Sequence, residues 1–436
     1  MSSSSLEDKV MQHRHSVGLN SAACRRVVVT GLGVVAANGI GKKAFWDATS
    51  RGISGIRPIQ RISTNSQPIK VAGEVQNFVA SDYINRKLAK RTDRVTHFVF
   101  AAVQEALQDA QLVLADENPQ RVGAVIASTL GGIEYVLEQS KAMYARGARA
   151  MSAYTAIAWL QVANVGHISI HHGLQGFCKT PVNDAVGGLN ALGIAYEAIQ
   201  RDAADVLITG GSEALLQPFV LAIMARRNLC MTDHDPMAYR PFDRRAAGLH
   251  LAEGAGICIL EEYEHARQRG ATIYGEMIGY GQTNDAHGLV APSSDGVQYA
   301  RAMQLAMREG NLQPQDIGYF SLDGRATSDS DAGEAEALNL VFGSDLAQLP
   351  VSVPRSMLGH SYAAAGAIDA VTTLLALQHH RIPPTINCEQ LEFHYGLDLV
   401  CNGTRRLSKS AALLGGRGIG GANVVLAFKQ PAPIAG

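Results

Sequence analysis

The chain reads as an α/β protein built in two similar halves, with stacked sheets and helices between and outside them. Short runs of buried-type strand residues alternate with segments of helical periodicity along nearly all of its 436 residues. A charged stretch at residues 264–270 interrupts the alternation once, and the same plan then begins again. Apolar residues make up 47% and charged residues 18%, with 44 glycines, which suits a large and closely packed interior. The halves are set at residues 25–265 and 266–436. Residues 1–24, opening Met1-Ser2-Ser3-Ser4-Ser5, are polar and lack a signal-peptide apolar core, so they are expected to be a disordered arm of a cytoplasmic protein.

Arg26-Val27-Val28-Val29-Thr30 is a buried-type strand leading into Gly31-Leu32-Gly33-Val34-Val35-Ala36. Those glycines match the dinucleotide fingerprint G-x-G-x-x-A, which needs a helix to begin at once beside the pyrophosphate. Here Ala37-Asn38-Gly39-Ile40-Gly41 intervenes and breaks a helix before residues 42–48 can start one. No ribose-binding acid follows at a strand end, so a nicotinamide oxidoreductase is the weakest functional reading. Residues 95–110 carry apolar side chains at helical spacing, and residues 121–127 form another buried strand. Gly131-Gly132 opens a helix over 133–144, and a further helix is expected over 156–165.

The stretch Lys179-Thr180-Pro181-Val182-Asn183-Asp184-Ala185-Val186-Gly187-Gly188-Leu189-Asn190 then ends a strand and starts a long helix running through Ile199. Residues 204–211 form a strand ending in a glycine turn, 243–248 a charged loop, and 255–261 the strand that closes the first half. The second series has strands at 273–280, 317–322, 397–401 and 411–426, and helices at 296–309, 332–341 and 363–377. Such alternation implies largely parallel sheets whose strand-end loops converge on one cavity.

A net charge of -1 gives no electrostatic reason for nucleic acid or an anionic membrane as a partner. No apolar run is long and charge-free enough for a transmembrane helix. Cys24, Cys178, Cys230, Cys258, Cys388 and Cys401 are scattered without C-x-x-C spacing, as free and mostly buried thiols. Cys178 is expected in the core of a strand. Asp233-His234-Asp235 after Cys230 reads as a polar turn, and neither a metal nor a cofactor is expected. The pairs His171-His172 and His379-His380 should each point to opposite sides.

The stretch 179–190 carries the most chemical information. A strand-to-helix turn followed by small residues exposes a nucleophile and sets it at a helix N-terminus that stabilises charge. The residue placed to react is Ala185, whose methyl has no lone pair and no proton to lose.

Four motifs in fixed order give this turn its context. They are Val29-Thr30-Gly31-Leu32-Gly33-Val34-Val35-Ala36; Pro241-Phe242-Asp243-Arg244-Arg245-Ala246-Ala247-Gly248 with Ala252-Glu253-Gly254-Ala255-Gly256; Ser356-Met357-Leu358-Gly359-His360; and Gly418-Ile419-Gly420-Gly421-Ala422-Asn423. Together they resemble the β-ketoacyl synthases of the thiolase fold, over residues 25–428. The resemblance implies two pseudo-repeated halves in an αβαβα stack. It also implies a catalytic cysteine at the turn, which threads onto Ala185, because only a thiolate accepts the acyl chain from a carrier thioester.

Two histidines accompany that cysteine in the family, for malonyl decarboxylation and enolate stabilisation. The first threads onto Asp323, in Asp323-Gly324-Arg325-Ala326-Thr327. A carboxylate there opposes an enolate unless Arg325 or another cation compensates. The second is retained as His360, while the family's preceding lysine is Arg355, a poor replacement for a tuned amine. Gly418, Ile419, Gly420 and Gly421 match a loop whose backbone N–H contributes to the family's oxyanion hole, with Ile419 where a phenylalanine gate stands.

The departures resemble one branch, the chain-length factor or ketosynthase β subunit of type II polyketide synthases. Ala158-Trp159-Leu160, Gly166-His167-Ile168-Ser169-Ile170, Ala335-Glu336-Ala337 and Tyr395-Gly396-Leu397-Asp398-Leu399-Val400 carry that likeness. It implies a heterodimer with a catalytic ketosynthase α subunit, transient contact with an acyl carrier protein, and elongation of a polyketide or polyene chain from malonyl units. Many members carry glutamine at the dead-cysteine position, sometimes credited with priming; Ala185 lacks the amide, so that role is not carried over. The branch's tunnel gate threads onto Ile133, Val136 and Ser140, spaced by three and four on one helix face. Ordinary packing in a dimer core is the alternative for those three. A stand-alone malonyl-carrier decarboxylase using His360 is the alternative function.

Overall fold

Ten consecutive buried residues, Val27–Ala36, form β1, the strand on which the two halves meet. The computed structural model describes residues 25–226, 230–401 and 403–431, so the arm expected over residues 1–24 lies outside the described residues. In the first half follow α1 (Lys42–Ser50), α2 (Arg94–Asp109), β2 (Val122–Ala127), α3 (Ile133–Arg146) and α4 (Ala163–His172). It continues with β3 (Cys178–Lys179), α5 (Gly187–Gln200), β4 (Val206–Glu213) and β5 (Gly254–Glu262). The second half holds β6 (Gly275–Asn284), α6 (Val297–Glu309), β7 (Ile317–Ser321), α7 (Ser328–Phe342) and β8 (Pro350–Ser352). It ends with α8 (Ala365–His379), β9 (Asp398–Leu399), β10 (Ala411–Arg417) and β11 (Ala422–Lys429).

The main sheet runs β9-β8-β7-β10-β11-β6-β1-β5-β4-β2-β3. β1 pairs antiparallel with β5 from Val27↔Glu262 to Val35↔Ala255, and with β6 from Val27↔Met277 to Val29↔Gly275. Pairings at the two outer ends are parallel, but those around β1 and between β10 and β11 are antiparallel. The expectation of largely parallel sheets is therefore corrected to a mixed one. Between β10 and β11 the reason is local. Gly420 and Gly421 adopt φ of 85° and 79° and turn the chain within four residues, too short a link for a parallel crossover. The single strand expected over 411–426 is thus a hairpin.

α5 and α8 lie between the sheet's two halves, and α2 and α6 cover its outer faces. α8 is buried on every side from Ala365 to Leu377, as a central helix must be. The repeat is visible at atomic scale. A Cβ on Gly33 of β1 would stand 1.9 Å from the Ala102 carbonyl of α2, and one on Gly281 of β6 would stand 2.0 Å from the Ala302 carbonyl of α6. The G-x-G pattern therefore lets a helix lie against a strand; it makes no dinucleotide turn.

Two further expectations are corrected. The helix over 156–165 is broken into Thr155–Ala158 and α4, because the Trp159 carbonyl accepts from the Gly132 N–H at 3.2 Å. Cys178 is in a strand but exposed, since β3 is the outermost strand of the sheet. Among the described residues no helix is long and apolar enough to cross a membrane.

Candidate functional site

α5 begins at Gly187 after a tight helical turn over Asp184–Val186. Asp184 takes φ 45°, a left-handed conformation that aspartate tolerates better than most residues. The turn sets Ala185 at the head of α5 with only 2% of its surface exposed. The helix N-terminus is in place to stabilise negative charge, but no side chain there can attack a carbonyl. Across from the turn, the Asp184 carboxylate accepts the Ile419 backbone N–H at 2.8 Å.

Asp323 follows β7 and is completely buried. Its backbone N–H and that of Gly324 donate to Glu334 of α7 at 2.9 and 2.8 Å, which fixes the start of the Asp323 loop. The Asp323 carboxylate accepts from Arg325 Nε at 2.9 Å and from Arg355 Nη1 at 2.5 Å, with Arg417 Nε at 3.6 Å. Burial opposes the charge, but Arg325, Arg355 and Arg417 together outweigh it and hold the carboxyl well below the usual range. Arg325 does compensate Asp323, and two further arginines join it.

Arg355 opens the short helix Arg355–Leu358 and is 1% exposed. Its Nε and Nη2 also reach Asp369 Oδ2 of α8, at 2.6 and 2.5 Å. Burial pushes Asp369 up to about 6 despite the adjoining guanidinium. Arg417, the last residue of β10, donates to the Ser330 carbonyl at 2.8 Å and to Glu334 at 3.3 Å. Arg325 Nη2 donates to the Arg417 carbonyl, closing the cluster over the glycine turn.

His360 is held by the backbone of the first half: its N–H donates to His250 at 2.8 Å and its carbonyl accepts from Ala252 at 3.0 Å. Its Nδ1 faces the Tyr362 N–H at 3.2 Å, and its Nε2 faces Arg355 Nη1 at 3.2 Å. Both neighbours are donors, and a neutral imidazole accepts at one nitrogen only. Either tautomer therefore sets donor against donor at one contact, and protonation would do so at both. Burial, then Arg355, hold the ring well below its usual value, so it stays neutral.

Asp323, Arg355 and His360 thus come together in one buried cluster, with Gly418–Gly421 joined to the elbow through Ile419. Ile133, Val136 and Ser140 lie on α3, half-buried. Ile133 packs in the apolar cluster that contains Tyr362 and Ile419. Val136 lines an apolar cavity of about 380 Å³ with Met151, Ala153, Ala156 and Trp159. The Ser140 hydroxyl donates to the Val136 carbonyl at 2.8 Å.

Sequence reading missed Asp184, Glu334, Asp369 and Arg417. Asp369 had a signal, as the one charged residue between Ala365 and Leu377 of a buried helix; buried charges need partners. The histidine pairs divide. His379 stacks on Trp46 at 5.1 Å, but His171 and His172 meet edge to face at 4.7 Å instead of pointing apart.

The comparisons with known proteins agree on the lineage. The β-ketoacyl synthase N-terminal domain matches residues 24–266, and the C-terminal domain matches residues 274–389. A 3-oxoacyl-[acyl-carrier-protein] synthase 2 of Staphylococcus aureus is 36% identical over 407 residues, covering 93% of this chain and 98% of the relative. That of a Synechocystis species is 37% identical over 410 residues, with the same coverage. Among solved structures, the ishigamide ketosynthase/chain length factor superposes with a TM-score of 0.88 at 29% identity, covering 94% of this chain and 100% of that one. A type II PKS acyl-carrier protein in complex with its ketosynthase bound to the hexaketide gives 0.85 at 29%, with the same coverage. Motif order, five-layered architecture and similarity along nearly the whole chain converge: this chain belongs to the β-ketoacyl synthase family.

Proposed function

We propose that the chain is a non-catalytic chain-length factor. It pairs with a catalytic ketosynthase α subunit and shapes the tunnel for a carrier-bound polyketide or polyene chain elongated from malonyl units. One observation carries the reading: at the elbow where acyl transfer needs a thiolate stands Ala185, and the neighbouring Asp323 is neutralised by the buried Arg355 and Arg417 and the partly buried Arg325. Such a cluster has no nucleophile, and its cations are already committed to carboxylates. An enolate or tetrahedral oxyanion would have to displace one of those pairs.

Support for a partner comes from the surface. Met151, Tyr154, Ile157, Trp159 and Val162 are exposed together beyond α3, and Tyr144 at its end is 85% exposed. Contiguous exposed apolar groups of this kind mark an interaction face. The cavity at Val136 opens within it, which suits a chain passing between two subunits. Structural likeness to a ketosynthase/chain length factor supports the same reading. The acyl carrier protein would meet the complex transiently, while its cargo is carried on the partner's cysteine.

The stand-alone decarboxylase is disfavoured by His360 itself, whose Nε2 faces Arg355 and not an open space. The oxidoreductase is disfavoured because Gly31 and Gly33 lie inside β1 against α2. Co-expression with a ketosynthase that retains its cysteine tests the proposal. The two chains should copurify as a heterodimer, and this chain alone should not condense malonyl units. A stable homodimer that does so would overturn it.

A further inference from the structure

We infer that Asp184 is a second block on acyl chemistry in this chain, acting on the oxyanion donor and independent of the missing nucleophile. The inference rests on the reading of residues 184–188 as a silent elbow. Three observations carry it. The Asp184 carboxylate already fills the Ile419 backbone N–H at 2.8 Å, which is the donor the glycine turn would offer to an oxyanion. The residue adopts φ 45° to do this, and its carbonyl is tied to the Thr129 hydroxyl at 3.3 Å. The Ile419 side chain is meanwhile packed in the apolar cluster with Tyr362 and Ile133, so the donor is pinned from both sides.

The latch also belongs to the arginine cluster. Burial disfavours the Arg325 cation, and Asp323 and then Asp184 more than offset that. Asp184 therefore does two things at position 185. It removes a donor from the place where carbonyl charge would develop, and it sets a carboxylate beside any thiolate formed there. The first raises the barrier to a tetrahedral intermediate. The second disfavours ionisation of a thiol through like-charge repulsion.

Restoring the nucleophile separates these effects. Three full-length variants are compared: Ala185→Cys, Ala185→Cys/Asp184→Asn and Ala185→Cys/Asp184→Gly. Asparagine keeps an acceptor for Ile419 without the charge, whereas glycine removes both and accepts the positive φ without strain. Alkylation of the introduced thiol by iodoacetamide, read by peptide mass spectrometry across pH, reports its thiolate. Acylation by hexanoyl-N-acetylcysteamine reports the oxyanion donor: the thiolate attacks the thioester carbon, a new C–S bond forms through a tetrahedral oxyanion, and the original C–S bond breaks as N-acetylcysteamine thiolate leaves and takes a proton from water. Circular dichroism and copurification with the partner verify that each variant is folded.

In the single variant, alkylation at pH 7 should be about tenfold slower than in either double variant, with its pH midpoint about one unit higher. Acylation should be about a hundredfold faster with Asp184→Gly than with Asp184→Asn, because only glycine frees the donor. Equal rates and equal pH midpoints in all three would show that Asp184 blocks nothing. That outcome would leave the subunit reading standing, since that reading is tested by pairing with a catalytic ketosynthase and by the unmodified chain's lack of condensing activity.

Discussion

Replacing Asp323 with asparagine removes one charge from a cluster in which three guanidinium groups converge on it at 2.5 to 3.6 Å. The three lose unequally. Arg355 keeps Asp369 and Arg417 keeps Glu334, but Arg325 loses the one carboxylate to which it donates. Breaking a buried pair by removing one partner costs about 3–5 kcal/mol. Asparagine fills the same volume and can still accept one hydrogen bond, so the lower end, about 3 kcal/mol, is expected. Urea unfolding followed by circular dichroism should show the midpoint fall by about 1 M.

The pH dependence adds a sign. The folded carboxyl is held below its unfolded value near 4, so its stabilisation is present above about pH 4 and fades as pH falls below it. Wild type should lose that contribution on acidification, and the Asp323→Asn variant should lack that part of the slope. A midpoint unchanged within about 0.2 M would refute the view that Asp323 is the anion holding three cations together.

Other outcomes follow from single contacts. His265 donates from Nδ1 to Glu261 and from Nε2 to Glu117 at 2.9 Å each, and Glu261 in particular, against partial burial, raises it to about 9. Its stabilisation, about 1 kcal/mol once solvent screening is allowed for, is full below about pH 6.5 and lost as pH rises through 9; His265→Gln should flatten that limb of the stability profile. Gly33→Val drives a side chain into the Ala102 carbonyl and should cost more than about 4 kcal/mol, read as loss of folded protein on expression. Ser140→Phe fills the α3 face beside Val136, and in complex with its partner the chain should yield shorter products; an unchanged product distribution by mass spectrometry would leave Ser140 as a packing residue.

What the sequence made legible was local. The Gly187-Gly188 start of α5, the strand-like run into Gly31 and Gly33, and the empty methyl at Ala185 are each read from a few neighbouring residues. The departures at Asp323 and Arg355 from the family's histidine and lysine were readable because their motifs keep their spacing. The cluster joining them was not, because its partners come from far along the chain: Arg355 meets Asp369 of α8, and Arg417 meets Glu334 of α7. The Asp184–Ile419 contact spans 235 positions and has no sequence signature. Mixed strand direction and the exposure of Cys178 depend on sheet order, which periodicity does not encode.

Intact-protein mass spectrometry of the two-chain complex after incubation with an acyl-carrier thioester tests the central claim most directly. The account predicts an acyl adduct on the partner chain alone, with the mass of this chain unchanged. An acyl adduct on this chain, or condensed product from this chain without its partner, would contradict it.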